Sequence, residues 1–230
     1  MKNNYVITVA RQYGCGGRTV GKIVAEKLGI AYYDTDLIKL AAEKNGVNPE
    51  FYKEFDEKAT SKFASMFGYS TGIGSFYSAT YTDMVINDKV YFAQSEVIKE
   101  VAEKPCVIVG RCADYVLEGK ENLVKIFLHA DMAARRDRIV NKYGIKDVKN
   151  IDKYIIKADK HRAQYYNSYT DKEWGDIKNY DITINTSKLS LEKVADIILN
   201  YLEQLEDNNW WTDSKRHMSA LRKGTIVHRQ

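Results

Sequence analysis

Gly14-Cys15-Gly16-Gly17-Arg18-Thr19 carries the strongest chemical signal in the chain. Small residues in a turn let backbone N–H groups converge on an anion, and a helix beginning there adds its partial positive charge. Arg18 supplies charge as a planar fork. Cys15 reads as filler for a tight cradle more than as a nucleophile, although a helix N-terminus lowers a thiol's pKa. A second signal lies between Asp131 and Arg162, where ten basic residues face five acids. That local +5 suits a small polyanion better than a nucleic acid, which needs a wider basic face. Arg135, Arg136 and Arg138 share one predicted helix, and Arg136 points about 100° from Arg135, so the two cannot address one phosphate.

These residues need a scaffold, and the hydrophobic pattern supplies one. Tyr5–Ala10 reads as a buried strand that runs into the glycine turn, and Val20, Ile23, Val24 and Leu28 then mark a helix that stops at Gly29. Further strands are expected at Ile30–Tyr33, Cys106–Val109, Val124–Leu128 and Ile182–Asn185. Helices are expected at Asp36–Lys44, Asp131–Tyr143, from Asp147 to about Tyr166, and at Leu191–Leu205. Short apolar strands alternating with helices predict an α/β fold with a five-stranded parallel sheet covered on both faces. Residues 45–103 break this rhythm and are expected to form a helical insertion rich in aromatics, ending in an amphipathic helix from Tyr81 to Glu103. We expect one domain over 1–206, with 131–170 as a helical lid and 207–230 as a tail.

Composition narrows the class. The 230 residues carry a formal net charge of +4. The tail holds five basic residues and two acids, so the rest is nearly neutral. No apolar run reaches the roughly 18 residues of a membrane span, and Met1-Lys2-Asn3-Asn4 lacks a signal sequence's apolar stretch, so a cytoplasmic protein is expected. Cys15, Cys106 and Cys112 suit neither a disulfide framework nor a zinc site. His129 and His161 lack a ligand cluster, and Asp159 and Arg162 have the spacing of a surface ion pair.

Taken in order, ITVARQYGCGGRTVG (7–21), YYDTDLI (32–38), VIVGR (107–111), KIFLHADMAARRDR (125–138), DKHR (159–162) and YDITINTSKLSLEKVADIIL (180–199) resemble the cytidylate-kinase-like family of P-loop nucleoside monophosphate kinases. The resemblance covers about 5–44 and 104–205. It implies a P-loop NTPase-like three-layer fold and ATP with Mg²⁺ as cofactors. Residues Gly14, Cys15, Gly16, Gly17, Arg18 and Thr19 would then cradle donor phosphates, with Thr19 meeting Mg²⁺. Asp34 and Arg111 would hold the acceptor, Arg111 by its phosphate. Arg135, Arg138 and Arg162 would bring charge to the transferring phosphoryl group, and Asn185, Thr186 and Ser187 would lie near the donor base. The pattern departs from that family in several places. GxxxxGK[ST] is absent, with Arg11, Gly17 and Arg18 in the slots of its first glycine, its lysine and its hydroxyl residue. Val109 and Cys112 replace the aspartates that usually flank the Gly-Arg pair, and Leu40 and Ile155 stand where arginines are expected.

Two functions remain open on the residues. One is an ATP-dependent phosphotransferase acting on a small phosphorylated acceptor, most naturally a nucleoside monophosphate. The other is a nucleotide- or anion-binding module without turnover, its lysine lost. Neither calls for a nucleic acid or a membrane, and oligomeric state is open.

Overall fold

The computed structural model describes residues 4–46, 88–144 and 150–207. Expectations for the body of the insertion, including its aromatic set Phe63, Phe67, Tyr69, Phe76, Tyr77 and Tyr81, and for the tail beyond 207 lie outside the described residues. The five expected strands all form: β1 (Val6–Arg11), β2 (Ala31–Tyr33), β3 (Cys106–Val109), β4 (Leu123–His129) and β5 (Ile182–Asn185). They make one parallel sheet in the order β2-β3-β1-β4-β5. β1 is central, with Val6 opposite both Cys106 and Leu123.

Period-two alternation splits the core into two layers. Ile7, Val9, Val107 and Val109 face one side, where they meet Val20, Val24 and Leu28 of α1 (Gly17–Leu28) and Val194, Ile198 and Leu202 of the closing helix Leu191–Asp207. Val6, Cys106 and Ile108 face the other side, against Leu37 and Ala41 of α2 (Asp36–Lys44) and Val90, Val97 and Ile98 of α3, a helix described over 88–101. Each fully buried aliphatic side chain contributes about 1.5–3 kcal/mol. Helices on both faces of a parallel sheet make a three-layer α/β fold.

The remaining elements carry the candidate site. After β3 comes a short helix α4 (Ala113–Val116). After β4, α5 (Met132–Asp137) runs into a π-helical turn, Arg138–Lys142, where a single helix to Tyr143 is the expectation. Tyr143 N–H donates to Arg138 O across five residues at 3.1 Å, the spacing that defines a π turn. The long helix α6 spans Ile151–Tyr169, so it ends later than its sequence pattern suggests, and the expected start at Asp147 lies outside the described residues. Its first turn is capped by Asn150, which accepts from Lys153 N–H at 3.0 Å. A 3₁₀ turn, Ile177–Asn179, precedes β5, and α7 (Leu191–Asp207) is the last element among the described residues. No helix among the described residues is long and apolar enough to cross a membrane.

Candidate active site

The turn between β1 and α1 lies at the carboxyl end of the central strand, where parallel α/β sheets open a crevice for ligands. Gly14 (φ +80) and Gly16 (φ +88) take left-handed backbone that L side chains rarely adopt. Their lack of a Cβ serves packing as well. A Cβ on Gly14 would approach Ile139 Cδ1 to 2.8 Å and Arg135 O to 3.1 Å, and one on Gly16 would come within 2.6 Å of Leu191 Cδ2. Gly17 is pressed against Arg11, whose Cβ would lie 2.7 Å from an added methyl. The glycines thus let the turn seat against three other segments. Gly16→Ala meets both left-handed strain and the Leu191 clash, so it is expected to destabilise the fold by about 1–3 kcal/mol. A urea titration of the two proteins measures this.

The carbonyl groups of the turn are held from outside. Arg162 Nη1 donates to Arg11 O at 3.1 Å, Arg135 Nε to Tyr13 O at 2.7 Å, and Arg138 Nη1 to Cys15 O at 3.3 Å. Thr186 Oγ1 also donates to Cys15 O, at 2.7 Å, and accepts from Arg138 Nη1 at 3.0 Å. Three alternate carbonyls of the turn are therefore capped by arginines that α5, the π turn and α6 supply. Arg135 and Arg138 occupy i and i+3, one face of one helix, which is why both reach the turn. Arg136 points elsewhere, as expected from the 100° step, and makes a two-pronged pair with Asp152 at 2.8 and 2.7 Å.

Asp159 is the acid of this region. It accepts from Tyr13 N–H at 2.7 Å and also binds Arg135 Nη2. Its distance to Arg162 Nη1 is 3.8 Å. The expected ion pair of Asp159 with Arg162 forms, but not on the surface: both side chains are largely buried, and the acid's hydrogen bonds come from Arg135 and from Tyr13 of the glycine turn. Burial lowers the pKa of Arg162, and Asp159 opposes that shift. The Arg162 guanidinium also stands 5.3 Å over the Tyr13 ring, a cation–π contact.

On the other side of the turn, Asp34 follows β2 and is buried. Arg18 Nε is 2.6 Å from Asp34 Oδ2, and Arg11 Nη2 is 3.6 Å from Asp34 Oδ1. Sequence reasoning treated Arg11 only as the occupant of a glycine slot, yet its side chain runs across the top of β3: an added Cβ on Gly110 would stand 1.9 Å from Arg11 Nη1. Its signal in the sequence was a cation at the end of a buried strand. Beyond it, Gly110 (φ +76), Arg111 (φ +63) and Cys112 (φ +53) form three successive left-handed residues. Two of them are not glycine, and such strain, on the order of 1–3 kcal/mol each, concentrates at functional sites.

The other expected site residues are placed as follows. Thr19 is exposed in the first turn of α1, and Arg18 is 60% exposed. The Cys15 side chain is fully buried, where desolvation raises its thiol pKa and the Gly17 N–H opposes it. Thr186 is buried with its hydroxyl committed to Cys15 O and Arg138, and Ser187 Oγ accepts from Asp131 N–H at 2.7 Å. Ile155, in an expected arginine position, is fully buried. Arg135 and Arg138 are buried against the turn's carbonyls, while Arg162 keeps 26% of its side chain exposed.

The side chains around the turn offer oxygen donors that suit Mg²⁺ bound together with ATP. Thr19 offers a hydroxyl, and Asp34 Oδ1 is buried without a hydrogen-bond partner among the described residues. Oxygen donors suit Mg²⁺, which keeps waters and substrate phosphates in its shell. No group of three His, Cys, Asp or Glu side chains among the described residues forms a cage of its own, so such an ion would be held jointly with a polyphosphate.

Comparison with known proteins agrees with this fold. The chain is 28% identical over 207 residues to a cytidylate kinase of Pyrococcus horikoshii, with 89% of this chain and 92% of that protein covered. It is 26% identical over 204 residues to a cytidylate kinase of Archaeoglobus fulgidus, covering 86% and 94%. Among solved structures, an uncharacterised protein of Eubacterium ventriosum matches with a TM-score of 0.60 at 25% identity, over 87% of this chain and 99% of that one. A shikimate kinase of Bacteroides thetaiotaomicron shares the fold with a TM-score of 0.51 at 18% identity, over 86% and 98%. The architecture is the P-loop kinase fold. A model of the cytidylate kinase-like family matches residues 6–188, most of the chain, and the chain belongs to that family.

Proposed function

We propose that this protein transfers a phosphoryl group from ATP to a small phosphorylated acceptor, a nucleoside monophosphate, with CMP the first candidate. The observation that carries the reading is the meeting of Arg18, at the start of α1, with Asp34, at the end of β2, at 2.6 Å. This contact joins the glycine turn, which the family resemblance assigns to donor phosphates, to Asp34, which it assigns to the acceptor. Relatives of this chain bear the name cytidylate kinase, which selects CMP from the possible acceptors.

Phosphoryl transfer needs positioning and charge neutralisation more than covalent chemistry. An acceptor phosphate is already nucleophilic at neutral pH, so no general base is required. The N–H groups of residues 14–19 would hold donor phosphates, and Thr19 with Asp34 would hold the ion. When bound with ATP, Mg²⁺ supplies charge neutralisation across the polyphosphate. Arg18 would turn from Asp34 toward the donor, and Arg111 would orient the acceptor. Arg162, the partly exposed member of the capping set, would offer its free edge to the transferring group. Arg135 and Arg138 would act through the backbone by keeping the turn's carbonyls away from the anion. The helices of 131–170 would screen water from the site.

One observation favours the second reading, a binding module without turnover. Gly17 stands in the lysine slot, so the turn lacks the cation that usually reaches the donor's terminal phosphates. ADP formation from ATP and Mg²⁺, measured with CMP, dCMP, UMP, AMP and GMP in turn, separates the two. The kinase reading expects one monophosphate to raise ADP formation at least a hundredfold over ATP alone. No increase with any of them would leave only the binding module.

A further inference from the structure

Arg11 lies where three strand ends meet. Its backbone closes β1, its Cβ and Cγ press on Gly17 at the head of α1, its Nη1 lies against Gly110 at the end of β3, and its Nη2 faces Asp34 after β2. The surroundings are short of negative charge. Its one carboxylate neighbour in this cluster, Asp34, stands 3.6 Å away, beyond hydrogen-bond length, and already takes Arg18 at 2.6 Å. Arg11 Nε is buried with no hydrogen-bond partner among the described residues. A second cation, Arg162, is bonded to the Arg11 carbonyl. Burial and the Arg162 charge push the Arg11 guanidinium down to about 9, against the pull of Asp34. Arginine does not give up its proton at neutral pH, so the group stays charged, and its cost persists until an anion arrives.

A buried cation without a full counter-charge is poor structural material. Replacing such a group with an apolar one of similar shape is often neutral or stabilising. Its retention here points to a ligand. The ligand's charge must come from the side of β2 and β3, because β4 and the 131–170 helices meet the turn from its opposite flank: Gln12 N–H is bonded to Leu128 O at 2.9 Å, and the carbonyl caps come from α5 and α6. The donor phosphates have the N–H groups of residues 14–19, so the anion left to Arg11 is the one carried by the acceptor.

We propose that Arg11 is a binding residue for the acceptor's phosphate monoester, which would give its guanidinium the close counter-charge that Asp34, at 3.6 Å, does not. This rests on the reading of the protein as a kinase of a phosphorylated acceptor. The 14% of the Arg11 side chain that remains exposed is the edge available to such a group. A phosphate dianion there would take the Arg11 guanidinium in the charge-assisted, two-pronged geometry that arginine and phosphate share.

The test titrates the full chain, as wild type and as Arg11→Gln, by calorimetry with CMP, cytidine and ATP. Inorganic phosphate is titrated separately with ADP in excess to fill the donor turn. Arg11→Gln is expected to weaken CMP and inorganic phosphate at least tenfold, to leave ATP within threefold, and to leave cytidine unchanged. Its melting temperature should equal or exceed the wild type's, because a deficient cation has been removed. Equal losses for CMP and ATP, or unchanged CMP and phosphate, would overturn the proposal. A wild type that binds phosphate but not CMP would sink the choice of acceptor alone, and the phosphate titration would still decide the role of Arg11. A wild type that binds no phosphate beside ADP overturns the proposal outright. Should Arg11→Gln not fold, Arg11→Lys keeps the charge at shorter reach: the same selective loss supports the assignment, and undiminished phosphate affinity opposes it.

Discussion

Asp159→Ala is expected to lose about 3–5 kcal/mol of stability, the cost of stripping one partner from a buried ion pair. Asp159 binds Arg135 and accepts from Tyr13 N–H at 2.7 Å. Arg135 is buried, and its other bond goes to Tyr13 O at 2.7 Å. Without Asp159 a guanidinium is left in the interior with one neutral acceptor. A loss of this size is about a fifth or more of the stability of an ordinary domain. Urea unfolding followed by circular dichroism should show a lower midpoint at unchanged slope. Asp159→Asn keeps an oxygen for Tyr13 N–H and should lose less. A midpoint that Asp159→Ala does not move would show that water reaches Arg135 and that the pair is not interior.

Arg162→Ala should behave in the opposite way, with a small effect on folding and a large one on rate. It removes a hydrogen bond to Arg11 O at 3.1 Å and the approach to Asp159 at 3.8 Å, together worth about 1–2 kcal/mol. An arginine aimed at a transferring phosphoryl group is worth on the order of a thousandfold in rate, which is about 4 kcal/mol of barrier. Melting temperature and the rate of ADP formation with the best acceptor should therefore separate. If Arg162→Ala melts several degrees lower and keeps its rate, Arg162 is a cap for the turn like Arg135 and no more.

The contrast between these two arginines marks what the sequence could and could not say. The strands were legible because β-branched apolar runs such as CVIV (106–109) and VKIFL (124–128) have one use in a chain that alternates with helices. The helix at Asp36–Lys44 was legible from its flanking acid and its Asn45-Gly46 stop. The turn at 14–19 was legible from its glycines as the tight link between β1 and α1. The partners of Arg135 and Arg138 were not, because they are backbone carbonyls, and a carbonyl has no letter in a sequence. Asp159 was read as an i, i+3 partner of Arg162, since local spacing is visible and a contact 24 residues away, to Arg135, is not. Arg11 was hidden for a related reason: a template that expects glycine at its position gives an arginine there no task. The left-handed run 110–112 has no sequence signature beyond Gly110, because Arg111 and Cys112 adopt it under tertiary constraint.

The arginine caps on alternate carbonyls of the turn have a consequence for how the molecule breathes. Fraying of α5 and the π turn strips the arginine caps from Tyr13 and Cys15, and fraying of α6 strips the one from Arg11; a bare carbonyl must then find water where side chains had been packed. Local opening of those helices is thereby raised toward the free energy of opening β1 itself, the central strand. Segments that open together exchange their amide protons together, as one cooperative unit. An anion seated on the turn would then slow exchange in α6, across more than a hundred residues of sequence, through carbonyl groups it never touches.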